Sequence, residues 1–335
     1  MPDIYAKISK NISSGKNQSL LVFSNFGIEL NKLSIILKFL NEISTGMNII
    51  YLVFGNKMDN YQQVYFSAYT AFVHKNTEDR IIVLAEDPSL FKSFHDDIEI
   101  IPINREMIKE WEGEYQFFWR VKIKALQLVA EKYPSDSILY LDGDTFFYQN
   151  MDSLRDGMKN GKNFMHVEEG KLSTLSSKTE KLMWKQMKGK SYFNTKIANN
   201  STMWNAGLIG ISPKHFGCLD LTLGINDAMC ADGVTRRLIE QFAFSLGLNE
   251  YSALQPADHV VGHYWGNKQE WNKIIDHFLK EIFMKNYSLD QIIERIREID
   301  FTQIPIKVKE STTQRKLKNF VDQFYKNKKP LYINK

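Results

Sequence analysis

Cysteine is scarce in this chain of 335 residues, which contains only Cys218 and Cys230. Two cysteines without a Cys-x-x-Cys pair, and no histidine at zinc-finger spacing, argue against a disulfide framework and against a structural zinc site. No window approaches the roughly twenty apolar residues of a membrane-spanning helix, and the first eighteen residues contain no apolar signal core. We therefore expect a cytoplasmic protein, soluble or peripheral at the inner face of the membrane.

Excess charge is also small, with a net charge of +4, and no concentrated basic face is visible that would indicate a nucleic-acid binder. The composition, 43% hydrophobic and 13% aromatic, is that of a globular protein. The basic excess gathers at the C-terminus, where nine Lys or Arg residues oppose two acids from Pro305 onward. This tail either contacts anionic membrane lipid or is solvated and disordered.

The most informative segment is Ser137–Tyr148, which reads SILYLDGDTFFY. Its apolar run is typical of a strand buried on both faces of a parallel sheet, and Asp142 and Asp144 follow at its carboxyl end. Open α/β sheets bind ligands at that edge. Two adjacent carboxylates need a positive partner, and hard divalent cations prefer oxygen ligands and accompany phosphates. The segment therefore predicts a metal–diphosphate site.

Three interpretations of this site remain open at this point. Asp and Gly are ordinary turn residues, so the segment is in the simplest case a polar turn. A phosphatase-like Asp-x-Asp-x-Thr motif would make Asp142 a nucleophile, although Thr145 comes one place early. The third interpretation is the Asp-x-Asp motif of nucleotide-sugar transferases with the GT-A fold, which the segment resembles.

Strand and helix patterns alternate around this segment, which predicts a parallel sheet with right-handed crossovers. The predicted strands are Ser19–Ser24, Met47–Phe54, Arg80–Ala85, Ile98–Ile103, Asn163–Val167, Trp204–Ile211 and His259–Trp265. The predicted helices are Glu29–Ile43, Tyr61–Lys75, Phe117–Lys132, Thr235–Leu246, Trp271–Lys285 and Leu289–Ile299, and Lys171–Tyr192 is expected to be a loop or a partly helical lid.

Four further segments accompany the Asp-Gly-Asp motif: LVFGNKMDNYQQV from Leu52, FWRVKIKAL from Phe118, WNAGLIGI from Trp204 and HYWGNKQEW from His263. In this order they resemble the retaining GT-A glycosyltransferases, the family of glycogenin and of bacterial lipopolysaccharide galactosyl- and glucosyltransferases. The resemblance spans about Asn48 to Trp271. It implies a mixed, mostly parallel α/β sheet flanked by helices, in a domain over residues 47–270. Residues 1–46 would be an N-terminal extension with a helix, and residues 271–335 C-terminal helices with a basic tail.

The resemblance also implies the activity: metal-dependent transfer of a hexose from a nucleotide sugar, UDP-linked by family habit, to a glycan or glycolipid acceptor. The family works with retention, in synthesis of bacterial surface polysaccharide or lipopolysaccharide. In the family the His of the fourth segment is a metal ligand, which would place Mn²⁺ or Mg²⁺ between Asp142, Asp144 and His263.

Donor binding is implied for residues of all five segments. The segment HYWGNKQEW departs from the family pattern at two positions. Lys268 comes one residue earlier than the family's lysine, and Glu270 stands where the family has a proline. For the first segment, a helix N-cap at Asp59 or Asn60 is an equally simple role. The implied donor-binding residues are Phe54, Asp59, Asn60, Tyr61, Arg120, Lys122, Asp142, Gly143, Asn205, Ala206, Gly207, Gly266 and Lys268.

Glu240 and Gln241 are the candidate catalytic residues, because the family places an Asp-Gln pair in this region. A retaining enzyme would use them to steady the reacting sugar, whereas an inverting one would need Glu240 as general base. The alternative is a solvent-facing glutamate beside Arg236 and Arg237. Two other classes also remain, a sugar nucleotidyltransferase and a carbohydrate-binding relative without catalytic activity.

Overall fold

The computed structural model describes residues 46–94, 96–309 and 329–331. The strand predicted at Ser19–Ser24 and the helix predicted at Glu29–Ile43 lie outside these residues. The described chain belongs to one compact unit that begins at Gly46.

Fifteen strands and nine α-helices occur in the described residues, joined by short 3₁₀ turns. The strands are β1 (Met47–Val53), β2 (Arg80–Ala85), β3 (Glu99–Pro102), β4 (Ser137–Leu141), β5 (Thr145–Phe147), β6 (Phe164–Met165), β7 (Glu168–Lys171), β8 (Ser191–Tyr192), β9 (Thr195–Lys196), β10 (Thr202–Trp204), β11 (Leu208–Ile211), β12 (Gln255–Pro256), β13 (Val261–His263), β14 (Lys307–Lys309) and β15 (Lys329–Leu331). The helices are α1 (Met58–His74), α2 (Arg105–Glu112), α3 (Arg120–Lys132), α4 (Asp152–Lys159), α5 (Lys178–Met187), α6 (Gly217–Ala231), α7 (Ile239–Asn249), α8 (Lys268–Met284) and α9 (Leu289–Arg297).

Seven strands form the central sheet in the order β12-β6-β11-β4-β1-β2-β3. Strands β3, β2, β1 and β4 are parallel to one another, whereas β11 runs antiparallel to both β4 and β6. The predicted mixed, mostly parallel sheet flanked by helices is confirmed. Every residue of β4 is buried, as its continuous apolar run predicts for a strand covered on both faces.

Side chains of the sheet alternate between two apolar cores, because successive strand residues point to opposite faces. On β1, Ile49 and Tyr51 join the core formed with α1, α4, α8 and α9. Ile50 joins the core on the other face, formed with α2, α3, α6 and α7. The two layers of helices leave the carboxyl edge of β1 and β4 open to ligands.

One strand differs from its sequence prediction for a local reason. The strand predicted over Trp204–Ile211 is interrupted, because the Asn205 side chain accepts a hydrogen bond from the Gly207 N–H at 3.0 Å and closes a turn between β10 and β11. The segment Lys171–Tyr192, expected to be a loop or a partly helical lid, contains α5, which begins at a reciprocal capping box between Ser177 and Glu180.

The helices that follow residue 268 share the main core. Trp271 of α8 is fully buried, and its ring stacks on Phe146 at 4.6 Å and on Tyr264 at 4.5 Å between centroids. Phe146 lies in β5 and Tyr264 directly follows β13. These two strands carry or adjoin residues of the candidate site described below. In the described part of the chain, no helix has the length and apolar character needed to span a bilayer.

We expect Trp271→Ala to lower the free energy of unfolding by about 3–5 kcal/mol, because it leaves a cavity among stacked rings. Trp265→Ala is the matched control, since Trp265 is 49% exposed and its loss should cost about 1 kcal/mol or less. Urea titration of both variants measures the difference. Equal losses would show that α8 is not part of the core.

Candidate metal centre and substrate cleft

A cleft of about 360 Å³ opens at the carboxyl edge of β1 and β4. The two strands are paired in parallel, so residues that follow them emerge at one edge of the sheet. Thirteen of the residues predicted from sequence line this cleft, and they come from several strands, helices and turns. They are Phe54, Asn60, Lys122, Asp142, Gly143, Asp144, Asn205, Ala206, Gly207, Glu240, Gln241, His263 and Lys268.

Asp142, Asp144 and His263 each offer a ligand atom, and these atoms lie within 4.8 Å of one another. Strand pairing brings them together, because β13 lies antiparallel to β5 with His263 opposite Thr145, the residue after Asp144. Ligands on opposite sides of an octahedral Mg²⁺ are about 4.2 Å apart. The three donors therefore fit a hard divalent cation after small movements.

The ring orientation of His263 also fits a metal ligand. Asn205 Oδ1 accepts from the Gly207 N–H and its amide nitrogen donates to Glu169 at 3.1 Å, which fixes the direction of the amide. His263 Nδ1 lies 3.0 Å from Asn205 Oδ1 and must donate its hydrogen to it. In a neutral ring Nε2 then directs a lone pair at Asp144 Oδ2, 3.3 Å away. Such a contact requires a cation or a proton between the two atoms.

Asp144 is buried, and nitrogen atoms of two side chains approach the same oxygen, Oδ2. His263 Nε2 lies 3.3 Å from it and Lys268 Nζ 2.9 Å from it. Burial by itself would raise the pKa of Asp144, but His263 and Lys268 lower it well below the usual range. The carboxylate is therefore ionised at neutral pH and available as a metal ligand.

Lys122 is a buried cation that joins two carboxylates of the cleft. Its Nζ lies 3.1 Å from Asp142 Oδ1 and 2.9 Å from Glu240 Oε1, and it donates to the Ala206 carbonyl at 3.3 Å. Burial favours loss of the proton, yet the charges of Asp142 and Glu240 raise the pKa of Lys122 above its ordinary value. Lys122 stays charged in the cleft.

Glu240 is buried, which corrects the alternative of a solvent-facing side chain. Burial raises the pKa of Glu240, and the positive charge of Lys122 opposes that rise. Its neighbour Gln241 donates from Nε2 to Glu169 Oε2 at 2.9 Å. Both candidate catalytic residues thus lie in the first turn of α7, and contacts with Lys122 and Glu169 hold their side chains at the cleft.

Four predicted residues lie outside the cleft lining. Tyr61 is buried against Phe91 with its hydroxyl bonded to Gly55 O, and Asp59 accepts from Asn272. The two remaining residues, Arg120 and Gly266, are held by other parts of the fold. Arg120 makes a bidentate ion pair with Asp227 at 2.8 and 3.0 Å, and Gly266 packs against Lys307. The N-cap position of α1 is Lys57 rather than Asp59 or Asn60.

An aromatic wall borders the cleft, and apart from Phe54 its members were not singled out from the sequence. Phe54 and Phe118 are in ring contact at 5.0 Å, and Phe118 continues to Trp119 at 5.6 Å. Phe118 is 52% exposed and Trp119 42% exposed. Two large aromatics at this exposure beside a polar cleft indicate a surface for a planar ligand. In the sequence, the Phe-Phe-Trp run before α3 could have indicated this wall.

Two further polar residues, Glu169 and His166, were also missed. The carboxylate of Glu169 accepts from both Asn205 and Gln241. His166 packs edge-on against His263 with ring centroids 5.3 Å apart. Burial, with the nearby charge of His263, lowers the pKa of His166 to about 3. It is therefore neutral at pH 7 and adds no positive charge beside the candidate metal.

No protein-family model matches the sequence, and no curated protein is similar to it. Among solved structures, galactosyltransferase LgtC, in complex with donor and acceptor sugar analogs, covers 81% of this chain and 99% of its own, with 12% identity and a TM-score of 0.45. Mouse xyloside xylosyltransferase 1 covers 64% and 84%, with 9% identity and 0.42. A glycosyltransferase involved in glycosylation of the major capsid of PBCV-1 covers 69% and 99%, with 10% identity and 0.41. These similarities are distant, so the function proposed below rests on the cleft residues of this chain.

We expect Gly207→Ala to weaken Mn²⁺ binding at least about tenfold, because an added Cβ would lie 2.2 Å from His263 Nδ1 and displace the imidazole. Gly189→Ala is the control: Gly189 lies outside the cleft at φ +78°, where a Cβ meets no described atom within 4 Å. The control should cost stability, by about 1 kcal/mol, and leave Mn²⁺ affinity unchanged. Calorimetric titration measures both, and unchanged affinity in Gly207→Ala would contradict the assigned ligand.

Proposed function

We propose that this protein is a metal-dependent glycosyltransferase that moves a hexose from a UDP-sugar to a glycan or glycolipid acceptor. One observation carries the proposal: the ligand atoms of Asp142, Asp144 and His263 lie within 4.8 Å of one another in a cleft that also contains Lys122 and Lys268. A divalent cation with two lysines is the set of charges that a nucleoside diphosphate leaving group needs.

The two lysines have different roles in the cleft. When bound, the cation would neutralise charge that develops on the diphosphate oxygens. Lys268 is half exposed on its side chain and reaches Asp144 from the start of α8, so it can turn to the phosphates once Asp144 is engaged as a ligand. Lys122 is buried between Asp142 and Glu240 and keeps both carboxylates in place.

The aromatic wall of Phe54 and Phe118 binds the base of the donor. A nucleobase is planar and stacks on aromatic faces, and this wall lies at the end of β1, beside the candidate metal ligands at the end of β4. Tyr61, which the resemblance implies for this role, is buried and bonded to Gly55. Asn60 lines the cleft and supplies a polar contact in the same region.

The sugar lies at the Asn205–Gly207 turn, where small residues let the backbone approach it closely. Lys122 connects Glu240 to this turn, because its Nζ contacts both the Glu240 carboxylate and the Ala206 carbonyl. The Glu240 carboxylate is engaged by the buried Lys122 at 2.9 Å rather than free in the cleft, which supports transfer with retention. Glu240 and Gln241 then steady the positive charge that develops at the anomeric centre.

The acceptor is proposed from the resemblance alone, as a glycan or glycolipid of the bacterial surface. Peripheral contact of the basic tail with anionic lipid also stays a prediction, because residues 310–328 and 332–335 lie outside the described residues. Sedimentation with anionic vesicles, before and after removal of residues 310–335, measures that contact; unchanged sedimentation would refute it.

We expect Mn²⁺-dependent hydrolysis of a UDP-hexose by the wild type, and a loss of at least about 100-fold in Asp144→Ala, because the metal ligand and its charge are removed. Asp220→Ala, on the exposed start of α6, is the matched control and should retain activity. A screen of nucleotide sugars with and without Mn²⁺ gives the result. Equal activity of Asp144→Ala and wild type would reject the site. Formation of UTP and a sugar 1-phosphate from the UDP-hexose, only when pyrophosphate is added, would indicate a nucleotidyltransferase instead. Binding of UDP without turnover would indicate a catalytically inactive relative.

We expect the product sugar to keep the anomeric configuration of the donor, because Lys122 holds the Glu240 carboxylate in an ion pair at 2.9 Å. Proton NMR of the first product formed from an α-linked UDP-hexose reports the configuration. Glu240→Gln should lower the rate by less than the 100- to 10,000-fold typical of a lost general base. An inverted product would show that Glu240 acts as the base despite its ion pair.

A further inference from the structure

Glu169 lies at an irregularity of strand pairing beside the cleft. Strand β7 runs antiparallel to β10, with Gly170 opposite Met203 and Glu168 opposite Trp204, so Glu169 is an extra residue without a partner across the ladder. Such a bulge redirects a side chain, and bulges are over-represented next to active sites. Gly170, at φ +115°, takes the backbone conformation that this bend requires.

The redirected carboxylate joins two amides of the cleft. Its Oε1 accepts from Asn205 Nδ2 at 3.1 Å and its Oε2 from Gln241 Nε2 at 2.9 Å. An ionised carboxylate has acceptors only and no donor. It therefore selects the NH₂ end of both amides, and both amide oxygens must point away from it.

Each amide oxygen has a separate task. Oδ1 of Asn205 accepts from the Gly207 N–H and faces Nδ1 of His263, so it determines which ring nitrogen is left for a metal. For Gln241, whose nitrogen donates to Glu169, the oxygen is left as the acceptor that the side chain can offer to the cleft. One carboxylate thus orients a residue beside the metal site and a residue beside the reacting sugar.

We propose that Glu169 is a positioning residue that sets the direction of both amides, Asn205 for metal binding and Gln241 for the substrate. The inference rests on the function proposed above and deepens it, because it connects the metal site to the reacting centre through residues of β7, β10 and α7. It also assigns Gln241 the role of an acceptor, whose oxygen faces a sugar hydroxyl or the electron-poor anomeric centre.

A glutamine at position 169 would offer one oxygen and one NH₂ group, so one of the two amides must turn over to avoid an NH₂ facing an NH₂. Asn205 is held by Gly207 and His263 as well as by Glu169. The Gln241 side chain has Glu169 as its hydrogen-bond partner among the described residues. Gln241 should therefore turn, and Asn205 should keep its direction.

The experiment compares Glu169→Gln, Glu169→Ala and the control Glu168→Gln, which changes the exposed preceding residue. Mn²⁺ affinity is measured by calorimetry on the full chain without nucleotide, and hydrolysis of the donor gives kcat and KM. We expect Glu169→Gln to keep Mn²⁺ affinity within twofold and lose about tenfold in kcat at unchanged KM. Glu169→Ala should weaken Mn²⁺ binding about tenfold and also lose kcat, and Glu168→Gln should match wild type.

Wild-type behaviour of both Glu169 variants would overturn the proposal. It would also be overturned if Glu169→Gln weakened Mn²⁺ binding as much as Glu169→Ala, since negative charge rather than amide direction would then be the cause. Thermal unfolding checks that each variant is folded. If Glu169→Ala does not fold, the isosteric Glu169→Gln still decides the test. Asp144→Ala separates the two hypotheses. If this variant binds Mn²⁺ like wild type, the proposed function fails. If it loses Mn²⁺ binding while both Glu169 variants behave like wild type, only the inference about Glu169 is refuted.

Discussion

Compensation of buried negative charge at the end of β4 is the constraint on which the cleft depends. Asp144 and Glu240 are buried, so each needs a positive partner to remain ionised. Lys122 lies between Glu240 and Asp142 and pairs with both. Lys122 comes from α3 and Lys268 from α8, two helices on opposite faces of the sheet. The cleft is therefore complete only when both layers of helices have packed against the strands, and folding and site assembly are one event.

The same constraint explains why the site is suited to a cation and an anionic ligand together. Lys122 is fixed inside the protein, where it balances two carboxylates irrespective of what is bound. Lys268 is half exposed and shares Asp144 with His263. A metal held by Asp144 and His263 would take over that local balance, and the charge of Lys268 would then be available to phosphates. Under the proposed function, the arrangement would link metal binding to recognition of the diphosphate without movement of the core.

Sequence spacing identified helices and strands more reliably than the direction of single side chains. Arg120 and Lys122 are two residues apart on one helix, which places them on different faces. Lys122 faces the cleft, whereas Arg120 faces Asp227. Tyr61 follows the expected motif but is turned into the core by Phe91. Glu169 carried no recognisable motif, because its role comes from a bulge in strand pairing that a one-dimensional pattern does not reveal.

The sequence by itself determined the buried strand β4 and the carboxylates that follow it, since an uninterrupted apolar run specifies a covered strand and its polar end must lie at the sheet edge. It also determined the order of the motifs around that strand. Tertiary structure alone decided that His263 closes on Asp144, because β13 pairs with β5 across a long stretch of intervening chain. Such contacts depend on how the layers pack and which strands pair. The hydrophobic periodicity of a single segment predicts neither.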